Sequence, residues 1–102
     1  MTNEQIAEIM ETYPDRVADA LLVFRKATAE RERVEGRRHL EIKVELKARG
    51  EYATAEDVKA MLKSDEVRYS AVMAEISAEA LYQRAYEMLM TAKKTASLRA
   101  AF

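Results

Sequence analysis

The side chains with the clearest capacity for chemistry are basic ones, crowded into one quarter of the chain. Between Arg25 and Arg49 stand nine Lys or Arg and five Glu, a local balance of +4. Residues 1–24 carry five acids and one base, and residues 50–102 carry eight acids and seven bases, so the whole nets only −1. Projected on a helix, Arg25, Lys26, Arg33, Arg37, Lys43 and Lys47 share about a third of the circumference. Aligned cations of this kind gain affinity for a phosphate backbone by releasing its condensed counterions. The same bases also lie near Glu30 and Glu41, and serve equally well as a solvated face stitched by intrahelical ion pairs. Spacing alone leaves both readings open.

Other chemistry has less material. There is no cysteine, hence no thiol nucleophile, disulfide framework or Cys-based metal site. His39 is the one histidine and stands without triad or metal-binding partners. The carboxylates are scattered singly, and no Gly-rich phosphate loop occurs. The sequence therefore predicts a protein that is not an enzyme, with no catalytic residue, cofactor or metal. Among the tyrosines, Tyr69, Tyr82 and Tyr86 fall in a largely apolar stretch and are expected in the core. Tyr52, beside Lys47 and Arg49, is the one expected to be free to stack on bases.

The elements that must position these residues are helical by composition: two Gly, one Pro, and an excess of Ala, Glu, Lys, Leu, Met and Arg. Thr2-x-x-Gln5 reads as a capping box opening a short helix over about 3–12, which Tyr13-Pro14 is expected to end. Pro14 suits the first turn of a second, long helix over about 14–49, interrupted by no breaker stronger than Gly36. Residues 50–53 form the turn. Thr54-x-x-Asp57 caps a short helix over about 55–63, and Ser64-Asp65-Glu66 starts a last long helix over about 65–98.

One stretch complicates this. From Leu40 to Ala48 apolar and charged residues alternate strictly, the pattern of a half-buried strand. Yet Val17, Leu21, Phe24, Ile42 and Leu46 project to one helical side, and no second segment alternates to pair with a strand. The expectation is a helix occupied on opposite faces, with intermolecular strand pairing as the alternative. The predicted fold is all-α: a single domain built as a long antiparallel helical hairpin with short accessory helices.

The last helix is apolar on more than one side, with Ala74, Ala78, Leu81, Ala85, Met88 and Ala92 on one and Tyr69, Val72, Met73, Ile76 and Ala80 on another. A second apolar side predicts a homo-oligomer, with Leu40, Val44, Tyr69, Val72, Met73 and Ile76 as its interface. The middle of the hairpin's inward face is polar, with Thr28, Arg31, Glu35, Arg38 and His39 near Phe24 and Ile42. Such a layer either fixes helix register or opens toward a ligand.

No apolar run approaches the ~20 residues that span a bilayer, and the acidic N-terminus lacks the order of a secretory signal. A cytoplasmic protein without membrane contact is expected.

The run Lys43-Val44-Glu45-Leu46-Lys47-Ala48-Arg49, the turn containing Tyr52, and Lys59-x-Met61-Leu62-x-Ser64-Asp65 together resemble the UvsY-like phage recombination mediator family. The similarity covers about residues 40–102. The resemblance implies a small, helical, oligomeric protein that binds single-stranded DNA without sequence preference. It further implies that the protein helps load a RecA-like recombinase by displacing a single-strand-binding protein. Lys47 and Arg49 match the family's DNA-contacting basic run, and Lys93, Lys94, Ser97 and Arg99 follow its final basic patch, although this chain is shorter there. With Arg33, Arg37, Lys43 and Tyr52, the candidate DNA-binding set is Arg33, Arg37, Lys43, Lys47, Arg49, Tyr52, Lys93 and Lys94. The alternative function is a non-enzymatic helical interaction or assembly protein, such as a phage structural factor or an inhibitor of a host protein, with no nucleic-acid binding.

Overall fold

The computed structural model describes residues 1–51 and 54–101. Among them every element is helical and there is no strand: α1 spans Asn3–Ala48, α2 spans Ala55–Lys63 and α3 spans Glu66–Ala100. Local chemistry sets the boundaries. The Thr2 hydroxyl accepts the Gln5 main-chain N–H at 3.1 Å while the Gln5 side-chain Oε1 accepts the Thr2 N–H at 2.8 Å, a reciprocal capping box. Thr54 and Asp57 repeat the device at the start of α2. Asp65 caps α3 by accepting the Arg68 N–H at 3.0 Å. At the end of α1, Gly50 sits at φ +72°, a left-handed conformation that favours glycine. Gly50 N–H then donates to Lys47 O and Glu51 N–H to Leu46 O, both at 3.0 Å, which closes the helix in a Schellman motif.

The expected break at Tyr13-Pro14 is corrected: α1 runs through Pro14 as one helix of 46 residues. Proline removes one main-chain bond at a cost of roughly 3 kcal/mol. Ending the helix there would separate Ile6 and Ile9 from Tyr13 and Val17, which form one continuous covered stripe. Tertiary packing outweighs the local signal. The alternating run from Leu40 onward is likewise helical through Ala48: Ile42 and Leu46 are buried while Leu40 and Val44 are exposed.

The chain divides into two compact units, a terminal unit of Met1–Arg25 with Ser77–Phe102 and a turn unit of Lys26–Ile76. In the terminal unit α1 and α3 run antiparallel, Asn3 meeting Arg99 and Phe24 meeting Tyr82. Ile6, Ala78, Leu89 and Ala92 are buried, with Tyr82 and Ala85 half-buried between them. Ala78, Ala85 and Ala92 recur every seventh residue, the spacing of a coiled-coil seam that small side chains allow to close tightly. Phe24 and Tyr82 stack with ring centroids 6.2 Å apart. The expected inward side of α3 is corrected in part. Leu81 and Met88 are 60% and 40% exposed and Tyr86 is also exposed, because the covered seam follows a 3.5-residue period from which a straight projection drifts.

In the turn unit, Ile42, Leu46 and Val58 form a buried cluster with Leu62 against it. Here α2 covers the end of α1. Met61, expected inward beside Val58, is exposed. No helix among the described residues is long and apolar enough to cross a membrane.

Candidate nucleic-acid interface

Two sets of basic side chains emerge in the turn unit, and they differ in what holds them. The first set faces α3. Arg31 Nε donates to Glu75 at 2.8 Å and its Nη1 to Glu35 at 3.1 Å; the other Glu35 oxygen accepts from Arg68 Nε at 2.9 Å. Arg38 donates to Asp65 from Nε at 3.1 Å and Nη2 at 2.9 Å, and also reaches Glu41. Charges thus alternate across the two helices as a ladder, and its side chains are largely covered. Every buried side-chain N or O among the described residues has a hydrogen-bond partner.

The ladder polarises its own members. The hydrogen bond from Arg38, with the Arg68 N–H behind it, holds Asp65 below its ordinary carboxylate value. Glu75 is lowered by Arg31 and then by Thr28. In turn Arg38 is raised by Asp65 and Glu41, and Arg31 by Glu75. The polar middle of the inward face is therefore a set of matched ion pairs. Sequence reasoning singled out Arg31, Glu35 and Arg38 but missed Asp65, Arg68 and Glu75. The only available signal was the seven-residue spacing of Arg68, Glu75 and Tyr82.

The second set lies on the exposed side of α1. Arg33 is bound to Glu30, which lowers the Glu30 carboxyl, and Arg37 lies 3.4 Å from Glu41. Further along, Lys43, Lys47 and Arg49 are exposed and make no ion pair among the described residues. Leu40 and Val44, 63% and 67% exposed, stand on the same side. On α3 of this unit Tyr69, Met73 and Ile76 are exposed and Val72 is half-buried, so Tyr69 is not the core residue expected.

Lys93 and Lys94 belong to the terminal unit, where both are exposed. Tyr52 lies outside the described residues. No group of three metal-ligating side chains converges among the described residues. The arrangement can offer two unpaired cations, Lys43 and Lys47, beside an apolar strip, with Arg49 past the helix end, suited to a polyanion that also presents flat or apolar surface. Comparison with protein-family models, with curated proteins and with solved structures finds no match to this chain.

Proposed function

We propose that the chain binds single-stranded DNA without sequence preference, as a self-associating recombination mediator of the phage type that helps load a RecA-like recombinase against a single-strand-binding protein. The observation that supports this reading is the exposed, unpaired Lys43 and Lys47 with Leu40 and Val44 on the same side of α1. Arg49, also exposed and without an ion pair among the described residues, stands just past the helix end. The cations release counterions from the phosphates, and the apolar side chains offer surface to unstacked bases. Three contacts per chain are weak, so the reading calls for several copies acting together. The exposed apolar residues Tyr69, Met73 and Ile76, with Val72, are where those copies would meet.

Fluorescence anisotropy of a labelled single strand of roughly 40 nucleotides at low salt tests this directly. Binding is expected, with a log–log salt slope of about −2 per engaged chain. A Lys43→Glu/Lys47→Glu double variant is expected to lose most of the affinity while keeping its helicity. Absence of binding by the unaltered protein sinks the proposal.

A second reading is favoured by one observation. Arg31, Arg33, Arg37 and Arg38, four of the nine bases of the basic block, already face carboxylates. A block neutralised to that extent suits a helical interaction protein that never meets nucleic acid. The same titration separates the two.

A further inference from the structure

The terminal unit holds a feature that the DNA-binding reading leaves unused. One side of α1 and Met88 of α3 border an open hollow of about 510 Å³ that Met1, Ile9 and Tyr13 line together with the polar Gln5, Glu8, Thr12 and Arg16. A second hollow of about 250 Å³ shares Tyr13, Arg16 and Met88 with it and adds Leu81, Arg84 and Ala85. Shared walls make them one groove. Its length along α1, from Gln5 to Arg16, matches about three turns of helix, or about 16 Å.

The groove's chemistry is uneven from end to end. Leu81 and Met88 are exposed apolar side chains that the fold leaves uncovered. Methionine adapts its shape to an incoming surface at little cost. Arg16 and Arg84 flank this apolar floor, and neither has a carboxylate partner among the described residues. The Arg16 guanidinium instead lies 4.9 Å from the centroid of the Tyr13 ring, which keeps it at the groove's edge. The far end carries Met1, Gln5 and Glu8, where the Glu8 carboxylate and the N-terminal ammonium stand together with no arginine in the lining there. This contrasts with the turn unit, where Arg31, Arg38 and Arg68 are all matched.

From these observations we infer that the groove receives an amphipathic helix of a partner protein, about three turns long. The occupant lays apolar side chains at i, i+4 and i+7 over Ile9, Leu81 and Met88 and sets carboxylates over Arg16 and Arg84. Helix-in-groove recognition takes its affinity from the apolar anchors and its orientation from the charges. The acidic end of the occupant points to the Arg16 end, because Arg16 and Arg84 stand together there.

The test uses the full chain and two labelled peptides of about fourteen residues. Both carry Leu at i, i+4, i+7 and i+11; one has two Glu at the end meant for the arginines, the other two Lys there. The acidic peptide is expected to bind about tenfold more tightly or better, and to shift the amide resonances of Ile9, Thr12 and Met88. An Arg16→Gln/Arg84→Gln variant, altered only at exposed side chains, is expected to abolish that preference while circular dichroism stays unchanged. Failure of both peptides to bind, or equal affinity for the two, overturns the inference. So does concentration-dependent doubling of mass that Arg84→Glu reverses, since a second copy would then be the occupant. None of these outcomes depends on whether the chain binds DNA.

Discussion

In the terminal unit α1 meets α3 through Ile6, Ala78, Leu89 and Ala92, with Phe24 stacked on Tyr82. In the turn unit the facing positions are instead Arg31 with Glu75, Glu35 with Arg68, and Arg38 with Asp65, followed by the small cluster of Ile42, Leu46 and Val58. The difference concerns register. A seam with alanine at 78, 85 and 92 presents nearly the same surface after a slip of one heptad. The ladder does not tolerate that slip. One direction sets Arg31 against Arg68; the other sets Glu35 against Glu75. Covered ion pairs add little net stability over apolar residues of similar size, yet a mismatched pair leaves like charges together. The terminal unit gains cohesion from packing, and the turn unit adds discrimination between alignments.

The largest effects should come from the packed positions. Ile42→Ala is expected to lower stability by about 2–5 kcal/mol, read from urea unfolding, since Ile42 is 2% exposed and its neighbours can collapse only partly. In the terminal unit Ala92→Leu should cost about 1–3 kcal/mol by forcing a closed seam apart. If Ala92→Leu proves neutral, the seam is looser than described and the comparison fails on that side.

The charge test is sharper in logic although smaller in effect. Arg31→Glu alone should destabilise by placing a carboxylate against both Glu35 and Glu75, and adding Glu75→Arg should recover part of the loss. A double variant no better than the single one would show that this pair does not discriminate registers.

Acid sets the units apart with no substitution at all. Asp65 and Glu75 have folded values below their ordinary 3.8 and 4.5, so their contribution is complete above those values. It is lost as pH falls through the lower folded values, when protonation breaks the bonds to Arg38 and Arg31. Protection against hydrogen exchange, taken relative to the intrinsic rate at about pH 5 and about pH 3, should fall in residues 31–41 and 65–75 before it does around Ala78–Ala92.

Much of this was legible in the residues. Composition announced an all-helical chain; Thr2/Gln5, Thr54/Asp57 and Gly50 marked helix ends that the structure keeps. Arg31, Glu35 and Arg38 stood out as charges on an inward face. Their partners did not, because Asp65, Arg68 and Glu75 become neighbours only once the alignment of α1 and α3 is known. Pro14 misled for the opposite reason: a strong local rule was overridden by packing that sequence reading cannot weigh. The sides of α3 were blurred by projecting at 100° per residue, which drifts by about 20° per heptad against a coiled-coil seam. For the candidate DNA-binding side, sequence shows where the bases are. It does not show that Arg33 and Arg37 lie against Glu30 and Glu41 while Lys43, Lys47 and Arg49 make no ion pair among the described residues.

Pro14 has a mechanical consequence. It follows Tyr13 and precedes Arg16 on the helix whose other side chains line the groove, and donates no main-chain bond to the Met10 carbonyl. A helix missing one rung flexes about that point more readily than along the uninterrupted stretches on either side. The helix is thus more compliant toward the Arg16 end of the groove than toward Gln5, so the groove can widen or narrow around a guest at that end without unwinding the helix that forms it.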